Sequence, residues 1–157
     1  MSTSSTANLE WSDAFLLGHS PMDRTHREFV DVVSAMQRAD DADFADCLRA
    51  FIVHAQAHFG EEDRWMAESG FPAMDCHVDE HAAVLQSAQE VLPLVLAGHV
   101  ALGRRFAAEL VRWFPGHADH LDSALAHWLV KRRSGGAPVV LRRGAAHAGG
   151  PAFTPGD

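Results

Sequence analysis

The chain has no tyrosine and only two cysteines, Cys47 and Cys76, in 157 residues. They form no C-x-x-C pair and are too few for a disulfide scaffold, so a reducing, cytoplasmic compartment is the simpler inference. Basic residues are scarce as well: 13 Lys and Arg stand against 21 Asp and Glu, a formal net charge of -8. Nucleic-acid backbones are bound through clustered Lys and Arg, so no nucleic-acid partner is expected. The run Lys131-Arg132-Arg133 suits a helix C-terminus, where cations complement the helix dipole. Long apolar runs are missing. The longest, near Val91–Ala97, is too short to span a bilayer and contains Pro93, so no membrane association is expected. The Ser/Thr-rich start lacks the basic-then-apolar order of a signal peptide. No segment shows strand-like alternation and no internal repeat is visible.

The periodicity that remains is helical. A polar start and the apolar group Trp11, Phe15, Leu16 and Leu17 read as an arm, residues 1–20, that packs on the fold. A helix then opens near Pro21, a residue favoured in a first turn, with Met22, His26, Phe29, Val33 and Met36 inward. The second helix, about 42–68, carries Phe44, Phe51, His58 and Trp65 at steps of seven, flanked by Leu48, Ala55 and Glu62. Ser69-Gly70 with Pro72 beyond is a stop signal. The third, about 73–97, aligns His77, His81, Val84, Ala88, Val91 and Val95, and Pro93 should kink or loosen its last turn. The fourth, about 100–132, aligns Leu102, Phe106, Leu110, Trp113, His117, Leu121, Ala124 and Trp128, with a kink expected at Pro115. Residues 133–157 are rich in Gly, Ala, Pro and Arg and are expected to form a flexible tail. The expected fold is all-α: an up-and-down four-helix bundle over 21–132 with short connections.

Histidine is in excess, with 11 residues, and metal coordination is the commonest reason for such an excess. Seven residues are spaced as metal ligands: His26, then His58 and Glu62, then His77 and His81, then His117 and Asp122. Donors at i and i+4 project from one helical face, one turn apart, so the middle pairs each aim two groups into one cavity. Five histidines and two carboxylates exceed the four ligands of a structural zinc. They match two six-coordinate metals that share two carboxylates and an oxygen, leaving one position open to a small molecule. The step from His117 to Asp122 is five residues, about 140° around a regular helix. Either the helix is distorted there, or the two side chains reach the centre from different sides. A short Asp reaching between the metals fits the second case. Ferritin-like di-iron sites use mainly Glu with E-x-x-H motifs, which do not occur at this site. A histidine-rich set leans instead toward reversible O2 binding. His54 is set aside as a ligand, His120 and His127 are read as surface residues, and His19, His99 and His147 as loop or tail residues. Cys76 is read as a packing residue.

At these positions the chain resembles the hemerythrins, in particular the bacterial single-domain form. The matching pieces are MDRTH (22–26), HFGEEDRWM (58–66), GFPAMDCHVDEH (70–81) and WFPGHADHLD (113–122), within roughly residues 11–130. The resemblance implies two iron ions per chain with a bridging oxo or hydroxo group. It implies that His77, His81 and His117 ligate one iron and His26 and His58 the other, which keeps the open position. Glu62 and Asp122 would bridge. It further implies an apolar O2 pocket, here Phe29, Phe59, Trp113, Phe114 and Ala118. The chain departs from the family pattern at Thr25, where Gln is usual, and at Ala118, where a large aliphatic is usual. The implied function is reversible O2 binding for delivery, storage or sensing. The alternative is a di-iron oxidase, peroxidase or nitric-oxide-handling enzyme, or an iron-handling protein. A sensor would call for a separate redox or signalling partner protein.

Overall fold

A computed structural model describes residues 7–133, and all regular structure among them is helical. Helix α1 spans Ser20–Arg38, α2 Phe44–Ser69, α3 Met74–Leu96 and α4 Val100–His117. The chain stays helical through a π segment, Ala118–Asp122, into α5, Ser123–Arg133. α4, the π segment and α5 therefore act as one long fourth rod. Neighbouring rods contact in the order α1, α2, α3, α4 and back to α1, which is an up-and-down four-helix bundle.

Local chemistry explains the boundaries. Pro21 sits in the first turn of α1, where its missing N–H costs nothing. α2 ends at Gly70, whose φ of +66° is the left-handed conformation that glycine adopts most easily. Pro93 lies in the last turn of α3, which closes three residues later at Leu96. The loop between α1 and α2 is held on α4 by Arg104, which donates to the Ala39 carbonyl at 3.0 Å and to Asp41 at 2.6 Å.

The core falls into two apolar clusters. The larger includes Phe29, Val33, Phe44, Leu48, Phe51, Phe59, Val95, Leu110 and Phe114. The smaller, formed by Leu17, Met22, Met66, Leu125 and Ala126, closes the other end. Each large apolar side chain buried this way contributes roughly 1.5–3 kcal/mol. The segment before α1 packs on this body. Leu9 is buried, its amide donates to Gln37 Oε1 at 2.8 Å, and Arg27 lies over the Trp11 ring. Asp23 accepts from the amides of Leu17 and Gly18 and so fixes the entry into α1. The 133–157 tail, including His147, lies outside the described residues except for Arg133.

Three expectations are corrected. The inward stripe of the fourth rod is not Leu121, Ala124 and Trp128. The buried residues are Asp122, Leu125 and Ala126, and Ala124 is exposed. The same offset already appears in α4, where Gly103, Ala107 and Phe114 are buried and Leu102, Phe106 and Trp113 only half-buried, and past His117 the extra residue of the π segment moves the inward positions on by one. Cys76 is exposed and does not pack in the core. His19 is not a bare loop residue: it is buried, its Nδ1 accepts from the Met22 amide to cap α1, and its ring packs edge-on against Trp65.

Candidate metal centre

Between the two apolar clusters lie His26, His58, Glu62, His77, His81, His117 and Asp122, all nearly excluded from solvent. α1 supplies the first, α2 the next two, α3 the two after that, and the fourth rod the last pair. All seven residues singled out from spacing are brought together. One group, Glu62, His77, His81, His117 and Asp122, places its donor atoms within 4.8 Å of one another, and His26, His58 and Glu62 form a second.

The two carboxylates straddle these groups. Glu62 turns Oε2 to His58 Nε2 at 2.8 Å and His26 Nε2 at 3.2 Å, and Oε1 to His81 Nε2 at 3.3 Å and His77 Nε2 at 3.4 Å. Asp122 turns Oδ2 to His26 Nε2 at 3.1 Å, and Oδ1 to His77 at 2.9 Å and His117 at 3.2 Å. All five imidazoles point Nε2 at the same small volume.

Several of these close atoms are not aligned as hydrogen bonds. His77 Nε2, Glu62 Oε1 and both Asp122 oxygens are buried without a hydrogen-bond partner among the described residues. Buried polar atoms are rarely left so, and lone pairs that converge without pairing are what a shared cation requires. The donor set, imidazole with carboxylate, suits iron among other transition metals.

The electrostatics carry the same imprint. Burial opposes charge on His26, but Asp122 and Glu62 outweigh it and raise the pKa to about 10. Burial likewise opposes charge on His77, and the same two carboxylates raise it to about 9. Burial would push both carboxyls up. The histidines instead hold Glu62 and Asp122 well below the usual carboxylate range, against the mutual repulsion that Asp122 feels from Glu62. Two buried carboxylates need positive charge beside them, and here protons on histidine supply it.

The five-residue step from His117 to Asp122 is resolved by the first of the two alternatives, a distorted helix. Its π segment closes with the Ser123 amide donating to the Ala118 carbonyl, five residues back, and returns Asp122 to the His117 face. α4 continues as a helix through Pro115 to His117, and the π segment begins at the next residue.

The five pocket candidates divide between the two groups. Phe29 and Phe114 stack on each other, Phe29 meeting the His58 ring and Phe114 the edge of His26. Phe59 stacks on His81, its ring centroid 4.2 Å away, and also touches His58, while Trp113 stacks on His117. Ala118 is buried in the same core as Phe29, Phe59 and Phe114. Phe15, from the segment before α1, backs Phe114 at 5.1 Å.

Sequence reasoning set His54 aside and missed the carboxylates behind the imidazoles. His54 meets His58 Nδ1 at 3.2 Å, and burial first, then the neighbouring His58 and His26, lower its pKa to about 4, so the ring is neutral near pH 7. Asp63 and Glu80 reach the outer nitrogens of His81 and His117. Each serves a histidine on the next rod, so no local spacing could have announced it. His120 and His127 are exposed, as read from the sequence.

Comparison with known proteins agrees with this geometry. The model of the Hemerythrin HHE cation binding domain matches residues 17–129. A bacteriohemerythrin of Ralstonia nicotianae is 40% identical over 124 residues, covering 79% of this chain and 90% of that protein. A bacteriohemerythrin of Stenotrophomonas maltophilia is 24% identical over 145 residues, covering 83% and 92%. One of Pseudomonas paraeruginosa is 25% identical over 121 residues, covering 74% and 78%. No solved structure gives a significant match. With the family model spanning the bundle and a relative at 40% identity over most of both chains, this chain belongs to the hemerythrin family.

Proposed function

We propose that the centre holds two iron ions and binds O2 reversibly, with His77, His81 and His117 on one metal and His26 and His58 on the other. Glu62 and Asp122 would bridge them, together with an oxo or hydroxo group. The observation that carries this reading is the division of each carboxylate, one oxygen toward each histidine group. A single ion at either histidine group would leave the second oxygen of each carboxylate facing the other group's imidazoles without a cation. The iron pair, when bound, supplies the electrons with which O2 binds and is released.

The chain's own residues do the rest. Five Nε2 atoms and two carboxylates fix the positions of the metals. Phe29, Phe59, Phe114 and Ala118 exclude water, so charge that develops in the site is not quenched by solvent. The open position would lie on the His26/His58 side, where Phe29 packs on His58 and Phe114 on His26 and would form its apolar wall. No helix among the described residues is long and apolar enough to cross a membrane, and the two free cysteines support a cytoplasmic location.

The test is an iron count with visible spectra of aerobic, anaerobically reduced and re-oxygenated protein. The expected result is two irons per chain and an absorption band that appears with O2 and fades under argon. One zinc per chain without colour overturns the reading. Irreversible oxidation with turnover of a second substrate favours a di-iron enzyme instead.

A further inference from the structure

The outer nitrogens of the five imidazoles are supported unequally. In the three-histidine group, His81 Nδ1 meets Asp63 Oδ1 at 2.7 Å, and His117 Nδ1 lies 3.5 Å from Glu80 Oε1. Trp113 Nε1 donates to the same Glu80 oxygen at 3.0 Å, and the indole stacks on the His117 ring, so Glu80, Trp113 and His117 hold one another in place. In the two-histidine group no carboxylate among the described residues is hydrogen-bonded behind the rings. His58 Nδ1 faces the imidazole of His54, and the buried Nδ1 of His26 has no hydrogen-bond partner among the described residues. His77 Nδ1 also has none, so among the described residues the carboxylate support within the three-histidine group comes from Asp63 and Glu80.

An imidazole that donates its outer N–H to a carboxylate is locked in one tautomer and becomes a stronger donor through the other nitrogen. We propose that Asp63 and Glu80 are positioning residues that make the three-histidine position the tighter of the two metal positions, so that it fills first. This rests on the two-metal reading above. Asp63 carries the larger share. Its contact is the shorter one and its side chain is 32% exposed, whereas Glu80 sits at the limit of hydrogen bonding with 42% exposed. Glu80 also lines a groove of about 440 Å³ between α3 and α4, where water competes for its oxygens.

The experiment is a Co(II) titration of the metal-free full-length protein, followed by visible absorption and calorimetry. Wild-type protein takes up two equivalents in two resolved steps. Asp63→Asn weakens the tighter step by about 10–100-fold, the usual cost of losing such a partner, and leaves the weaker step unchanged. Asp63→Glu recovers part of the loss, and Glu80→Gln reproduces the pattern with a smaller effect. Circular dichroism of each metal-free variant checks folding, and Glu80→Gln decides the matter if Asp63→Asn does not fold. Two indistinguishable steps in wild type, equal weakening of both steps, loss confined to the weaker step, or no change each overturn the proposal. Uptake of fewer than two equivalents by wild-type protein is a different result: it defeats the two-metal reading itself, and this proposal with it.

Discussion

Asp122 Oδ1 lies 3.2 Å from His117 Nε2, although five residues separate them and a regular helix would set them about 140° apart. The π segment between them amounts to one extra residue in an α-helix, a device often found at functional sites. Deletion and insertion should therefore behave differently. Removing the exposed His120 turns the pair into i and i+4, keeps Asp122, Leu125 and Ala126 inward, and should leave two metals per chain. Inserting Ala after Asp119 makes a six-residue step that neither helix type returns to one face. Metal analysis should then give fewer than two. Loss of metal in the deletion, or full retention in the insertion, contradicts this account.

The metal-free protein should be most stable in a bounded pH window. Glu62 and Asp122 have depressed pKa values, so their contribution is present above the ordinary carboxyl range and is lost as pH falls. His26 and His77 are raised, to about 10 and about 9. Their contribution is complete below the ordinary histidine value of about 6.5 and is lost as pH rises through 9 and 10. Urea denaturation between pH 3 and 11 should show both flanks. Metal must displace the protons on His26 and His77, so loading near pH 7.5 should release about two protons per chain from these histidines, and about one or two more from water where a hydroxo or oxo bridge forms. Calorimetry in buffers of different ionisation enthalpy counts them. Release of fewer than about two protons would mean that those histidines are already neutral.

Gly103 leaves no room for a side chain between α4 and its neighbours. A Cβ there would lie 2.7 Å from Val95 Cγ2 and closer still to the ring of the fully buried Phe44. Gly103→Ala gains up to ~1 kcal/mol of helix propensity, but overpacking of this kind costs about 1–3 kcal/mol. A net loss of up to about 2 kcal/mol is expected, seen as a lower urea midpoint. An unchanged midpoint would show that Phe44 and Val95 can yield.

Ala118 occupies the turn after His117 and is buried beside the phenylalanines of the proposed O2 pocket. A larger side chain there should narrow access for water. Ala118→Ile is expected to slow autoxidation of the oxygenated protein, seen as slower decay of its visible band, at a stability cost of about 1–3 kcal/mol. The same decay rate in a folded variant would remove residue 118 from the access route.

Much of this was legible in the chain itself. Hydrophobic steps of three and four, Pro21 at a start and Gly70 at a stop placed the helices of the bundle, because each signal acts within one turn of backbone. His58 with Glu62, and His77 with His81, could be paired for the same reason. Other features needed residues distant in sequence to meet. Asp63 behind His81 and Glu80 behind His117 depend on the packing of one rod against the next. The division of Glu62 and Asp122 between two histidine groups depends on all four rods at once. The π segment lies between these cases. The odd five-residue step was visible, but both a distorted helix and an approach from two sides were compatible with it. Local propensity cannot choose between them. The tertiary structure chooses, because only the extra residue lets His117 and Asp122 face the centre while Leu125 and Ala126 stay in the core.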